Sequence, residues 1–235
     1  MGEYISAEVA NADTDPMDDE GHGTHCAGII GAKGDNGVGV SGMNHNVKIM
    51  ALKALDENGS GSDSDLIDAY NYINKAINLG VNVAAINDSW GGEGKSTIFK
   101  KLMDLVGAKG AVSVCAAGNE SADNDETATY PANDDCAYKI SVAATNEKGE
   151  LSNYSNYGKE KVDIAAPGSD ILSTYAEDCY NPSIYSAEKQ KEVTQKLADF
   201  NGESSWAEWN PENIRITSTT EGKESNYKAE LSDDN

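Results

Sequence analysis

Basic residues are scarce in this sequence, and this scarcity argues against several classes of partner. The 235 residues include 18 Lys and Arg against 40 Asp and Glu, so the formal net charge is −22. Such an acidic chain lacks the cationic surface that displaces counterions from phosphates, which argues against nucleic-acid partners and anionic membrane surfaces. No run of about 18 apolar residues occurs, so we expect no membrane span.

The cysteines and the first residues argue against two further classes. Cys26, Cys115, Cys136 and Cys179 include no C-x-x-C pair, which argues against a zinc site. Cys26 and Cys115 lie in apolar segments and are predicted as core thiols, whereas the polar surroundings of Cys136 and Cys179 leave pairing open. Residues 1–6 lack the basic and apolar regions of a signal peptide, and their match to the myristoylation pattern is interpreted as chance.

Short apolar segments alternate with helical periodicities along most of the chain. The predicted strands are Val47–Leu52, Val81–Ile86, Ala111–Ala116, Lys139–Ala144 and Val162–Ala165. Three helices are predicted. The first is Gly21–Ala32. The second begins at Ser62 or Asp63 and has an apolar stripe of Leu66, Tyr70, Ile73 and Ile77, and the third has an apolar stripe of Ile98, Leu102, Leu105 and Val106. This alternation predicts an α/β fold with a doubly wound, mostly parallel sheet and flanking helices. In such a fold the active crevice lies beyond the carboxyl ends of the strands.

The α/β alternation ends near residue 175. Residues 186–200 have the periodicity of a charged amphipathic helix, and a polar hairpin is predicted from Ile214–Thr219 and Asn226–Leu231. We therefore divide the chain into residues 1–175 and residues 176–235. The second part is interpreted as an α+β appendage, either a divergent tail or the start of an insertion.

The segment Gly21–Gly28, with the sequence GHGTHCAG, is the most specific motif in the chain. Its glycines allow backbone to approach a substrate closely, and His22 begins the apolar, small-residue helix. The motif resembles the catalytic histidine motif of the subtilases, the subtilisin-like serine proteases, and Cys26 resembles the proteinase K branch. The resemblance covers about residues 15–175 and continues in chain order through Asn36–Gly42, Val47–Lys53, Ser89–Gly92, Ala116–Glu120, Tyr130–Ala132 and Val162–Gly168.

The resemblance implies a serine endopeptidase that binds an extended polypeptide. It gives His22 the role of the base that moves a proton from a serine hydroxyl to the leaving amine. It gives Asn119 the role of an amide donor to the developing oxyanion. The substrate would pair with an exposed edge strand, and the substrate-binding residues would be Ser89, Trp90, Gly91, Gly92 and Gly118. Trp90 stands where the family usually has leucine and should reshape the adjacent apolar subsite.

The resemblance also implies a structural calcium ion and an extracellular or cell-surface location. Asp35 and Asn36 offer side-chain oxygens and Val38 and Val40 offer carbonyls, which are ligands that calcium accepts. The alternative interpretation is a solvated acidic loop. The family site also takes a ligand from an N-terminal region that this sequence does not match.

Two parts of the subtilase pattern are absent from the sequence. The D-[ST]-G turn is missing, and Asp13 lies in a segment without the glycine or the preceding apolar strand. The G-T-S-x-A motif is missing too, because the surroundings of Ser204 and Ser205 do not match it. We therefore expect this chain to hold the middle of a subtilase, without meaningful peptidase activity of its own.

Three alternatives stay open. The first is a non-catalytic, subtilase-like protein that only binds peptides. The second is a P-loop nucleotide-binding domain, since residues 89–97 nearly fit a Walker A loop, although Ser89 replaces the first glycine and Glu93 would repel phosphates. The third is a fragment that does not fold alone, because its sheet lacks the first strand.

Overall fold

A computed structural model describes residues 7–8, 16–37, 39–175, 214–221 and 224–231. Its helices are α1 (His22–Gly31), α2 (Asp63–Asn78) and α3 (Thr97–Gly107). Its strands are β1 (Ala7–Glu8), β2 (Leu52–Lys53), β3 (Ala85–Asp88), β4 (Val112–Ala116), β5 (Lys139–Thr145), β6 (Ile164–Pro167), β7 (Ile214–Glu221) and β8 (Glu224–Leu231). Within these described ranges, no helix has the length and apolarity that a membrane crossing requires.

The chain divides into two units, and the first comprises Met1–Ser60 with Leu172–Asn235. It contains α1, the parallel pair β1–β2 and the antiparallel hairpin β7–β8. The hairpin confirms the polar hairpin predicted from the sequence, whereas the helix predicted at residues 186–200 lies outside the described residues. The predicted strand Val47–Leu52 is wrong in its extent. Only Leu52 and Lys53 form β2, because β1 has only two residues for them to pair with.

The second unit, Gly61–Ile171, is built on a parallel sheet with the strand order β3-β4-β5-β6. The sheet confirms the predicted parallel α/β architecture, and β4 and β5 fall where the apolar runs predicted them. However, β3 begins later than Val81, because the N–H of Val81 still donates to the carbonyl of Ala76 at 3.0 Å in the exit turn of α2. Parallel strands end at the same edge, so the segments after β3 and β4 leave the sheet side by side.

The two helices of this unit begin at serines that cap them. Ser62 and Asp65 form a reciprocal capping box at α2, and the Ser96 hydroxyl accepts from Phe99 N–H at α3. The buried side chains of α3 are Phe99, Met103 and Val106, of which the predicted stripe contained only Val106. Ile98 is 61% exposed in this structure. The predicted stripe and the buried one both have helical spacing, and the buried one is the stripe that contains the ring of Phe99.

The described cysteines do not all match their predictions. Cys115 is buried, as predicted, and its thiol is free. Cys26 is only half-buried. Cys136 is buried with a free thiol, and Cys179, its suggested partner, lies outside the described residues.

Candidate active site

Asp18 organises the turn that leads into α1, at whose start the predicted base His22 lies. Its carboxylate accepts from the backbone N–H groups of Glu20 (3.1 Å), Gly21 (2.8 Å) and Thr24 (2.7 Å), and from the Thr24 hydroxyl (2.6 Å). Burial acts to raise the pKa of Asp18, but the hydrogen bonds from Thr24, Gly21 and Glu20 outweigh it and lower the pKa. A charged carboxylate therefore satisfies donors that a helix start leaves unpaired.

His22 is the first residue of α1, and its side chain is exposed. Its backbone N–H donates to the Glu20 carboxylate at 2.8 Å, and its Nε2 lies 3.7 Å from Cys26 Sγ. The Cys26 contact, with smaller help from the charges of Glu20 and Asp18, raises the pKa of His22 against the opposing effect of partial burial. A raised pKa favours the protonated imidazolium, so the neutral form that accepts a proton is reached at a higher pH than in an unperturbed histidine.

Gly21, the N-cap of α1, requires glycine. Its φ of 100° lies in the left-handed region, and a Cβ there would lie 2.3 Å from Tyr175 Cζ. The Tyr175 hydroxyl donates to the Glu20 carbonyl at 3.1 Å. The aromatic ring therefore fixes the backbone immediately before His22.

Two hydroxyl side chains next to Tyr175 hold α1 from a distant part of the chain. Ser173 donates to the His25 carbonyl at 2.6 Å, and Thr174 donates to the Thr24 carbonyl at 2.8 Å. A Cβ at Gly28 would lie 2.3 Å from both hydroxyl oxygens. The small residues of the histidine motif thus allow this segment to contact the helix closely, and sequence analysis did not identify that role.

Asn119 follows β4 at the carboxyl edge of the sheet. It is exposed, and its side-chain amide makes no hydrogen bond within the described part of the protein. Its backbone N–H donates to the Glu120 carboxylate at 2.9 Å. Gly118 precedes it with a φ of 119°. The side-chain N–H groups of Asn119 are therefore available to a ligand, as an oxyanion donor requires.

Asn156 supports this segment and was not identified from the sequence. It is fully buried, and a Cβ at Gly118 would lie 2.3 Å from its Nδ2. Its Oδ1 accepts from the N–H groups of Glu120 (2.8 Å) and Ala122 (3.0 Å). Its Nδ2 lies 3.1 Å from the Ala117 carbonyl and 2.8 Å from the Glu120 carboxylate. One amide thus fixes the loop on both sides of Asn119, from a position that no local pattern links to it.

The predicted substrate-binding segment Ser89–Gly92 follows β3, which lies at one end of the strand order in the described sheet. It is not the regular edge strand that we expected: β3 ends at Asp88, and Gly92 forms an isolated bridge with Tyr130. The two bridge hydrogen bonds measure 2.9 and 2.8 Å. Adjacent glycines favour strand extension weakly, which accounts for the short pairing.

The candidate metal loop and the missing triad members are described only in part. Asp35 and Asn36 are exposed, and Val38 lies outside the described residues, as do Asp13, Ser204 and Ser205. Across the described residues, no three or more His, Cys, Asp or Glu side chains converge on a point. A calcium ion here would therefore need backbone carbonyls, such as that of Val40, and water for most of its ligands.

Comparisons with known proteins agree with this architecture. The model of the subtilase family matches residues 3–207. A thermophilic serine proteinase of Bacillus sp. (strain AK1) is 41% identical over 174 residues, which are 74% of this chain and 40% of that protein. The minor extracellular protease Epr of Bacillus subtilis (strain 168) is 39% identical over 165 residues, which are 69% of this chain and 24% of that protein.

A solved structure, that of a cold-adapted subtilisin-like serine proteinase, matches with a TM-score of 0.61 and 31% identity, over 72% of this chain and 58% of that chain. Fold and comparisons together define a subtilisin-like α/β protein. The chain belongs to the subtilase family, and it spans 24–58% of the length of these three relatives. The family resemblance and the α/β fold class are confirmed, and no comparison supports a P-loop.

Proposed function

We propose that the whole protein is a serine endopeptidase that hydrolyses extended polypeptides through an acyl-enzyme. The observation that carries the proposal is the exposed amide of Asn119, which makes no hydrogen bond within the described residues and lies in the segment that follows β4, beside the segment that follows β3. Relatives named as serine proteinases support the reaction class. In this proposal Ser89–Gly92 and Gly118 border the peptide, and the peptide backbone pairs with them.

Each residue then has a defined part in the reaction. His22 accepts the proton of the attacking hydroxyl and returns it to the leaving amine. Asn119 donates an N–H to the oxyanion of the tetrahedral intermediate, where it acts more strongly than on the planar carbonyl. The attacking serine and the acid that orients His22 are not assigned to any residue of this chain.

The test is Asn119→Ala in the whole protein, with a chromogenic peptide substrate. We expect kcat to fall about 100- to 1000-fold with little change in KM, a magnitude established on subtilisin itself. Asn153→Ala is the matched control, because its side chain is also exposed and also makes no hydrogen bond within the described residues. Equal kcat values for the two variants would contradict the oxyanion role.

The peptide-binding alternative is distinguished by a covalent probe. The sequence of this chain contains no G-T-S-x-A motif, which favours binding without catalysis for these 235 residues alone. A serine-directed phosphonate should label the whole protein and should not label this chain by itself. Peptide binding by a whole protein that the phosphonate never labels would favour the non-catalytic function.

Calcium binding at the loop from Asp35 to Val40 also belongs to the proposal. The exposed oxygens of Asp35 and Asn36, and the left-handed turns at Asp35 (φ 58°) and Gly37 (φ 74°), support it. Calcium should raise the thermal midpoint of the chain, and Asp35→Ala should remove most of that increase. Glu57→Ala, a substitution in another exposed loop, should leave that increase unchanged.

An extracellular location is proposed because relatives are named as extracellular and cell wall-associated proteases.

A further inference from the structure

A buried carboxylate lies directly before the proposed substrate-binding segment. Asp88, the last residue of β3, is 2% exposed. Its Oδ2 accepts from the Tyr70 hydroxyl at 2.5 Å, and its Oδ1 accepts from Trp90 Nε1 at 3.2 Å. The Cys115 thiol lies 4.0 Å from Oδ2. No lysine or arginine pairs with it among the residues described.

The carboxylate connects three elements of the second unit. Asp88 pairs with Cys115 in the β3–β4 ladder, and Tyr70 reaches it from α2. The Tyr70 hydroxyl also lies 2.9 Å from Ser113 Oγ on β4. A buried carboxylate without a cation is costly, so its two oxygens need good donors. One of these donors is the indole of Trp90.

The indole contacts an aromatic cluster. The Trp90 and Phe99 rings meet edge-to-face, with centroids 5.1 Å apart at 77°, and Phe99 meets Tyr70 at 4.6 Å and 67°. A small surface pocket opens beside Trp90. It is lined mainly by apolar side chains, Leu66, Trp90, Phe99, Tyr130 and Pro131, with Asp63 and Asp134 beside them. The indole therefore forms one wall of this pocket.

We propose that Asp88 is a positioning residue for peptide specificity: it holds the Trp90 indole against Phe99 and so fixes the wall that an apolar side chain of the peptide meets. The inference rests on the proposed function, because it assigns the pocket to the same peptide. It assigns Asp88 no contact with the peptide. The role differs from that of His22 and Asn119, which act on the reacting atoms.

The environment of Asp88 makes this positioning sensitive to pH. Burial raises the pKa of Asp88 to about 6, against the opposing hydrogen bonds from Tyr70 and Trp90. Burial also raises the pKa values of the facing groups, Tyr70 on α2 and Cys115 on β4, so both stay neutral while Asp88 titrates. The ionised carboxylate is the stronger acceptor, so the indole should be held most firmly above about pH 6.

The first experiment compares kcat and KM of the whole protein for two peptides that differ only in leucine or alanine at the position facing Trp90. We expect Asp88→Leu to reduce the preference for leucine about three- to tenfold, through KM, with kcat retained. Asp88→Asn keeps the shape of the side chain and one oxygen that can accept a hydrogen bond, so most of the preference for leucine should remain. In a Trp90→Phe background, Asp88→Leu should change the preference no further.

The second experiment follows the indole N–H of Trp90 by NMR in the whole protein, assigned by its loss in Trp90→Phe. We expect its chemical shift to titrate near pH 6, and Asp88→Asn to abolish the titration while the fold is retained. An indole that is insensitive to both pH and Asp88→Asn would overturn the positioning.

The two experiments separate failure of the inference from failure of the proposed function. If the indole titrates but Asp88→Leu and Asp88→Asn leave the leucine preference unchanged, the specificity role is overturned. If the unmodified whole protein neither binds nor cleaves any peptide, the proposed function fails and the specificity role fails with it. The indole titration still decides whether Asp88 holds Trp90.

Discussion

The start of α1 and the carboxyl edge of the sheet are built alike but tolerate change differently. Each contains a glycine at positive φ, Gly21 at 100° and Gly118 at 119°, and neighbouring side chains occupy the space that a Cβ would take. At Gly21 the neighbour is the half-buried ring of Tyr175, whereas at Gly118 the nearest neighbour is the fully buried amide of Asn156, followed by the Glu120 carboxylate. A ring with access to solvent can move aside, and an amide fixed by hydrogen bonds on both sides cannot.

Each region also contains a carboxylate, and the two pKa values shift in opposite directions. Asp18 accepts hydrogen bonds from the backbone N–H groups of Glu20, Gly21 and Thr24 and from the Thr24 hydroxyl, and its pKa is lowered. Asp88 accepts from Tyr70 and Trp90, and burial raises its pKa to about 6. The comparison shows that a carboxylate stays charged where backbone donors replace its water, and becomes a titrating group where they do not.

The largest effect is expected from the glycines. Gly118→Ala should destabilise the chain by about 3 kcal/mol, because it adds overpacking against Asn156 to left-handed strain. Gly21→Ala should cost about 1–2 kcal/mol, because Tyr175 can turn away. Urea unfolding of both variants measures the difference. Equal losses would show that the two regions are equally rigid.

The next effect concerns the stability of Asp88→Asn as a function of pH. Because burial raises the folded pKa of Asp88 above its unfolded value of about 3.9, its ionisation costs stability as the pH rises towards 6. Asp88→Asn should therefore stabilise the chain by about 2–3 kcal/mol at pH 8 and by almost nothing at pH 4. Urea unfolding at both pH values tests this, and a gain that is independent of pH would contradict it.

Asp18→Asn should show the opposite slope. The folded pKa of Asp18 is lowered, so its contribution is present above the unfolded pKa and is lost as the pH falls through the folded value. At pH 7 we expect a loss of about 1 kcal/mol, typical of a helix cap. Asp68→Asn, on the exposed face of α2, is the control and should have little effect. A loss that persists in acid would argue for packing instead of charge.

The smallest effect is expected at His22. Removing the Cys26 thiol removes the first cause of the raised pKa, so Cys26→Ala should lower the pKa of His22 and shift its titration to lower pH. The chain has three histidines, which makes proton NMR titration practical. The resonances of His25 and His45 serve as internal references in the same spectra. If the pKa of His22 does not change, the nearby carboxylates of Glu20 and Asp18 are the cause of its elevation.

Local patterns predicted much of the fold. Ser62 was one of two expected caps of α2, β4 falls within the apolar run that predicted it, and β5 extends one residue beyond its run. These features depend on neighbours within a few residues, which is the range that a sequence pattern describes. On the buried face of α3 only Val106 was predicted. Phe99 was not recognised, because its burial depends on contacts with the rings of Tyr70 and Trp90, which no local pattern shows.

The candidate site was predicted only where the motif itself carries the chemistry. His22, Asn119 and Ser89–Gly92 follow from short segments of sequence. Their supports do not, because Asn156 lies 36 residues after Glu120, to which it is hydrogen-bonded. Asp18 lies only six residues before Thr24, but no sequence pattern indicated that its carboxylate would accept from the N–H groups at the start of α1.

The hydroxyls that hold α1 bear on when the helix can form. Ser173 and Thr174 bind carbonyls 148 and 150 residues earlier in the chain. A glycine-rich helix of ten residues is not stable alone in water, so α1 depends on such partners. On a ribosome that adds about 5–20 residues per second, those partners emerge many seconds after His22. We therefore expect the segment with the predicted base to become ordered only after Ser173 and Thr174 have been synthesised.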